Sequence, residues 1–117
     1  MLKQFTLVLG VVLLGVGIWG SIIGGHDHVL VLFGVNFKHN AVHIASGALA
    51  LLAGFAGFQA AKNFCLVFGL VYGLVAVLGF VNFTTAVTML NLNAADNFLH
   101  LGIAAACLGM ALKSKTA

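Results

Sequence analysis

Long stretches without charge dominate the pattern of hydrophobic and polar positions along the chain. No Asp, Glu, Lys or Arg occurs within residues 4–26, 39–61 or 63–95. A helix needs about 20 apolar residues to cross the hydrocarbon core of a bilayer, and each of these runs is long enough. The pattern predicts an all-α integral membrane protein with four transmembrane helices. Their predicted spans are about residues 4–24, 38–60, 63–82 and 95–113.

Composition agrees with this prediction. Of the 117 residues, 62% are hydrophobic and 6% are charged, whereas a soluble domain carries about 25% charged residues. We therefore expect one membrane domain over residues 1–117, in contact with the lipid bilayer. The first run is interpreted as a retained helix, because no convincing small-x-small cleavage site follows it. Cys65 and Cys107 fall inside spans, where free thiols are expected rather than a disulfide.

Lysine placement predicts the orientation. With four spans, Lys3, Lys62, Lys113 and Lys115 lie on one side of the membrane and Lys38 lies on the other. Lysine excess marks the cytoplasmic side, so both termini are predicted to be cytoplasmic, in a bacterial inner membrane. The net charge of +3 comes from these helix ends and forms no basic patch. No nucleic-acid partner is expected.

An internal repeat is the most informative feature of the sequence. A shift of 57 positions superposes three identical residues at the predicted starts of the second and fourth spans. The matched pairs are Asn36 with Asn93, Asn40 with Asn97, and His43 with His100. Because the period covers two spans, both halves would have the same orientation. Such parallel repeats are related by a pseudo-twofold axis along the membrane normal.

Helix capping and packing offer one explanation of the repeated residues. Asn36 and Asn93 stand where helices are predicted to begin, and Asn is a favoured N-cap. Asp96 follows Asn93 by three residues, where an Asp can satisfy the donors of the helix start. The other repeated residues share one helix face, which should point into the bundle because unpaired polar groups in a membrane are costly. A structural Asn–His hydrogen-bond network would satisfy them. Its asparagines are Asn36, Asn40, Asn93 and Asn97.

A metal site is a second explanation. His39 and His43 are four residues apart on one predicted helix face, and Asp96 and His100 have the same spacing on the matching face. Three imidazoles and a carboxylate suit a tetrahedral zinc ion, or another transition metal such as iron or copper.

A tetrapyrrole is a third explanation. His43 and His100, one from each half, could be the axial ligands of a haem or a chlorophyll. Nucleophilic catalysis has little support, because the serines lack a neighbouring base and the side-chain carboxylates are limited to Asp27 and Asp96. An enzymatic activity is therefore not the favoured expectation.

The segment His39-Asn40-Ala41-Val42-His43, followed by Gly47, and the segment from Ala95 to Leu101 carry a family resemblance. Together they resemble an uncharacterised group of bacterial four-span membrane proteins, domain of unknown function 4383, over nearly the whole chain. The resemblance implies a four-helix membrane protein without an established activity. We expect a structural or accessory subunit of a membrane assembly, self-associated or bound to other membrane proteins. The alternative is a redox protein that binds a metal or a tetrapyrrole.

Overall fold

Helices form nearly all of the structure. The computed structural model describes residues 1–115. Its elements, in chain order, are α1 (Leu2–Ile23), β1 (His28–Leu30), β2 (Phe33–Val35), α2 (Phe37–Ala56), α3 (Phe58–Phe80), α4 (Thr84–Leu90) and α5 (Ala94–Lys113). Four of them, α1, α2, α3 and α5, are long and apolar enough to cross a membrane. The prediction of four long apolar helices is confirmed, and the chain is a multi-pass membrane protein.

The turn between α2 and α3 lies earlier than the sequence predicts. Its expected position is the polar segment 59–63, but the chain turns at Gly57, where φ is 134°. A residue with a Cβ rarely adopts this backbone conformation, so the glycine decides where α2 ends. The polar segment forms the first turns of α3 instead.

Both long connections contain short elements that the sequence does not predict. The first folds into an antiparallel hairpin that pairs His28 with Val35, and the second contains α4. The Asn91 side chain joins them, because its Nδ2 donates to the carbonyl oxygens of His28 and Val35 at 3.2 and 3.0 Å. The two connections therefore cover the same end of the bundle. We call this end the covered end.

Close approach of backbones holds the long helices in pairs. The helix α1 packs mainly on α2, and α3 packs mainly on α5. A Cβ on Gly17 would lie 2.9 Å from the backbone nitrogen of Ile44, and one on Gly47 would lie 2.5 Å from that of Leu14. Small residues at these positions let two membrane helices approach closely.

Polar and apolar residues are distributed as a membrane protein requires. Large apolar side chains such as Val8, Leu52, Leu70 and Leu112 are exposed on the outer faces of the long helices, where lipid would contact them. The thiols of Cys65 and Cys107 are free and buried in the core. All but one of the buried polar residues come from α2, α5 or the Asn36 cap. These residues are Asn36, His39, Asn40, His43, Ser46, Asp96, Asn97 and His100, and the exception is Thr6.

Candidate metal centre

Three histidines from two helices meet inside the bundle near the covered end. His39 and His43 come from α2, His100 comes from α5, and all three are buried. The ring centroid of His39 lies 4.4 Å from that of His43 and 5.4 Å from that of His100. One ring nitrogen from each residue can be chosen so that all three lie within 4.8 Å of one another. We call these residues the histidine cluster.

His39 is held in place at both its backbone and its ring. Asn36 caps α2, because its Oδ1 accepts a hydrogen bond from the backbone N–H of His39 at 3.0 Å. The Nδ1 of His39 lies 3.0 Å from the carbonyl oxygen of Leu90, at the end of α4. A carbonyl oxygen only accepts, so Nδ1 carries the proton. The Nε2 atom is then left with a lone pair, and it is buried without a hydrogen-bond partner among the described residues.

The other two histidines also have free ring nitrogens. Both ring nitrogens of His43 and the Nδ1 of His100 are buried without a partner in the described part of the chain. Buried polar groups in proteins are nearly always hydrogen-bonded, and exceptions call for an explanation such as an ion. Each member of the histidine cluster therefore offers at least one unused nitrogen.

Asp96 is a helix cap, which is the structural alternative to the ligand role that its spacing from His100 suggests. It forms a capping box at the start of α5, in which its Oδ2 accepts from the backbone N–H of Asn93 at 2.9 Å. Asn93 in turn accepts from the N–H of Asp96 at 3.0 Å. The group of converging ligand atoms contains the three histidines and not this carboxylate. Its Oδ1 is nevertheless buried and unpaired within residues 1–115.

Among the described residues, no asparagine side chain forms the predicted hydrogen bond to a ring of the histidine cluster. Asn36 and Asn93 are N-caps, as predicted. The side chain of Asn40 instead packs against Gly20 of α1. Asn97 packs in the same way against Gly79 of α3. Within residues 1–115, neither the Asn40 amide oxygen nor its nitrogen has a hydrogen-bond partner, so the asparagines do not satisfy the imidazoles.

Tyr72 is a neighbour of the cluster that the sequence does not reveal. Its ring centroid lies 5.5 Å from that of His100, and 3% of the residue is exposed. Its hydroxyl has no hydrogen-bond partner within the described range. Its position along the third span could have indicated that it lies near the site, because α3 ends at the covered end, eight residues beyond Tyr72.

An open cavity lies on the outer side of the cluster. It has a volume of about 380 Å³ and is lined by Gly25, His26, Asp27, Asn36, Phe37, Lys38, Thr88 and Met89. Asn36 lies between the cavity and the cluster, because its side chain lines the cavity and also accepts the backbone N–H of His39. The Nδ2 of Asn36 donates to Asp27 and to the Met89 carbonyl oxygen at 3.0 and 2.9 Å. The loop histidine His26 lines the cavity, and neither His26 nor His28 belongs to the histidine cluster.

The fold and the site define a small multi-pass membrane protein with a buried histidine cluster near one end of its helices. The chain belongs to the family described as Domain of unknown function (DUF4383), whose model matches residues 3–113. The resemblance seen in the sequence is therefore confirmed. No curated protein and no solved structure matches the chain.

Proposed function

We propose that this protein binds one transition-metal ion within the membrane through His39, His43 and His100. The observation that carries the proposal is the convergence of three buried ring nitrogens within 4.8 Å. Ligand nitrogens in a tetrahedral site lie about 3.4 Å apart when the metal–nitrogen bonds are about 2.0–2.1 Å. Side-chain rotations that move each nitrogen by about 1 Å would therefore close the site around an ion. Imidazole suits zinc, copper and iron.

Free energy favours an ion over simple packing of the three rings. A buried polar group without a partner costs about 1–3 kcal/mol, and the histidine cluster contains four such nitrogens among the described residues. A bound cation would occupy three of the four at once. A purely structural or accessory subunit, as expected from the sequence, would leave this cost without compensation.

The arrangement suits a bare ion better than a tetrapyrrole. The rings of His43 and His100 have centroids 6.2 Å apart, and the ring of His39 lies within 5.4 Å of both. A macrocycle bound between the first two would have to displace the third and separate α2 from α5. An ion needs no such separation.

Asp96 enters the proposal through its charge. A divalent ion bound by three neutral imidazoles keeps its full charge, which is costly inside a membrane. Asp96 is the buried member of the two side-chain carboxylates in the sequence, and it lies one turn before His100. Its unpaired Oδ1 is free to compensate the charge of the ion or to bind it after a side-chain rotation.

The two halves of the molecule also support a repeated helical hairpin with pseudo-twofold symmetry. Six buried residues of α2 each have a buried counterpart in α5, 57 positions later in the sequence. The pairs are His39 and Asp96, Asn40 and Asn97, His43 and His100, Gly47 and Ala104, Ala50 and Cys107, and Gly54 and Ala111. The buried residues of α1 have counterparts in α3 59 positions later: Leu2 and Ala61, Thr6 and Cys65, Gly10 and Gly69, Leu13 and Tyr72, Gly17 and Ala76, Gly20 and Gly79. In this proposal, His39 and Asp96 are equivalent positions that have diverged into a ligand and a cap.

Metal analysis of the purified chain tests the proposal. The full-length protein, carrying no polyhistidine tag, is purified in detergent, exposed to zinc or copper, and freed of unbound ion. We expect about one equivalent per chain, and its loss in the double variant His43→Ala/His100→Ala. The matched control is His26→Ala/His28→Ala, which removes two histidines outside the cluster and should keep the ion. Absence of bound metal in the unmodified chain, or equal loss in both double variants, would contradict the proposal and favour the structural role.

A further inference from the structure

We propose that Tyr72 supplies the fourth ligand of this metal centre, through its phenolate oxygen. The inference rests on the metal site proposed above and adds a residue from a third helix. It also adds the kind of ion that the site favours. An oxygen anion beside three imidazole nitrogens favours an oxidised redox ion such as Cu(II) or Fe(III) over Cu(I), which prefers softer donors.

The position of Tyr72 is the first support. Its ring lies against the ring of His100, with the planes tilted by 55°. The hydroxyl of Ser46 lies near that of Tyr72, although the two do not form a hydrogen bond. Ser46 follows His43 by three residues, about 4.5 Å deeper along α2 at 1.5 Å per residue. The phenol oxygen therefore lies next to Ser46, toward the inner side of the histidine cluster.

The three histidines alone do not complete a tetrahedral site. The Nδ1 of His39 is bound to the carbonyl oxygen of Leu90, which belongs to the connection that covers the bundle. The ring is therefore fixed from the outer side through Nδ1, and its Nε2 is buried without a hydrogen-bond partner among the described residues. Three ligands of a tetrahedral ion leave one position free, and Tyr72 carries the buried, unpaired oxygen toward the inner side of the cluster.

Charge is the second support. Three neutral imidazoles leave a divalent ion with two positive charges, of which Asp96 compensates one, in a medium that penalises each of them. On coordination the Tyr72 O–H bond breaks, the proton leaves to solvent, and the oxygen lone pair forms the bond to the ion. No electron is transferred, and the net charge of the centre falls by one.

The composition of the chain makes the test unambiguous. The sequence contains a single tyrosine, so any phenolate signal has to come from Tyr72. The purified full-length chain, without a polyhistidine tag, is loaded with one equivalent of Cu(II). Visible absorption and resonance Raman spectra are recorded for the unmodified protein and for Tyr72→Phe. The substitution keeps the aromatic ring against His100 and removes the oxygen, and Ser46→Ala is the control on the facing helix.

We expect a phenolate-to-copper charge-transfer band with phenolate ring vibrations in the unmodified protein and in Ser46→Ala. In Tyr72→Phe the band should disappear while copper remains bound, and the Cu(II)/Cu(I) midpoint potential should rise. Bound copper without such a band in the unmodified protein would overturn the role of Tyr72 and leave the three-histidine site intact. Failure of the unmodified protein to bind copper or zinc would overturn both proposals. Circular dichroism of each variant establishes that the helices are retained.

Discussion

The Nδ1 atom of His39 lies 3.0 Å from the backbone carbonyl oxygen of Leu90. This hydrogen bond joins the start of α2 to the end of α4, across 51 residues of sequence. Ligand histidines in metalloproteins typically donate their second ring N–H to a carbonyl or a carboxylate, which fixes both the tautomer and the ring orientation. His39 therefore already forms the hydrogen bond that a metal-binding histidine typically forms with its second ring nitrogen.

The first prediction concerns the tautomer of His39. We expect its imidazole to carry the proton on Nδ1 both without metal and with zinc bound, because Leu90 holds that proton in both states. Two-bond proton–nitrogen correlation spectra of histidine-labelled protein in detergent micelles distinguish the two tautomers, and His39→Gln identifies the signal. Protonation on Nε2 in the metal-free protein would contradict the hydrogen bond.

A second prediction compares the two N-caps. Removal of a cap costs about 0.5–2 kcal/mol, and this cost applies to both Asn36→Ala and Asn93→Ala. Asn36 also donates to Asp27 and to the Met89 carbonyl oxygen, whereas the corresponding group of Asn93 has one exposed partner, the Leu32 carbonyl oxygen. Each additional bond contributes about 1 kcal/mol.

Asn36→Ala should therefore lower the free energy of unfolding more than Asn93→Ala, by about 1 kcal/mol. It should also weaken metal binding, because it loosens the turn that carries His39. Thermal or denaturant unfolding in detergent, together with metal titration, measures both effects. Equal losses of stability and unchanged metal affinity in both variants would contradict this. The bonds that Asn36 donates to Asp27 and Met89 would then contribute neither to stability nor to metal binding.

The candidate site could be predicted in part because its residues follow helical spacing. His39 and His43 lie on one face by their separation of four, and the repeat at 57 positions brings His100 into the same group. The sequence could not separate the role of His39 from that of Asp96. That difference depends on the Leu90 carbonyl and on the Asn93 backbone, which belong to connections without any periodic pattern.

Tyr72 was missed for a related reason. The helix α3 carries no motif matched to those of α2 and α5, so only its depth in the bundle could have connected it to the site. The two strands of the hairpin have three residues each, which is too short for alternation of polar and apolar side chains to be recognised. By contrast, the long helices were predictable because an uncharged run of about 20 residues has few other stable forms.

A third prediction concerns the glycines that face the buried asparagines. A Cβ on Gly20 would collide with the Asn40 side chain, whereas one on Gly15 in the same helix meets nothing within 4 Å. Overpacking in a tight interior costs about 1–3 kcal/mol. We expect Gly20→Ala to destabilise the protein by this amount and Gly15→Ala to leave it unchanged or slightly more stable.

The same comparison is available in the second half, with Gly79→Ala against Asn97 and Gly102→Ala as its open control. Unfolding transitions of the four variants, measured in one detergent, test both halves together. Similar stability of Gly20→Ala and Gly15→Ala would show that the Asn40 side chain does not lie against the backbone of α1 at Gly20. If the halves are equivalent, Gly79→Ala should lose about as much stability as Gly20→Ala.

The fourth prediction concerns the side of the membrane that the covered end faces. The lysine distribution predicts that this end is outside the cytoplasm, and residue 26 lies there while Gln59 lies at the opposite end, at the start of α3. Both positions are exposed, and the native Cys65 and Cys107 have no exposed surface.

In intact bacterial cells that express the protein, a membrane-impermeant maleimide should label His26→Cys and not Gln59→Cys. After permeabilisation it should label both, while the unmodified chain stays unlabelled throughout. The reversed pattern in intact cells would place both termini outside, and the metal centre would then exchange its ion with the cytoplasm.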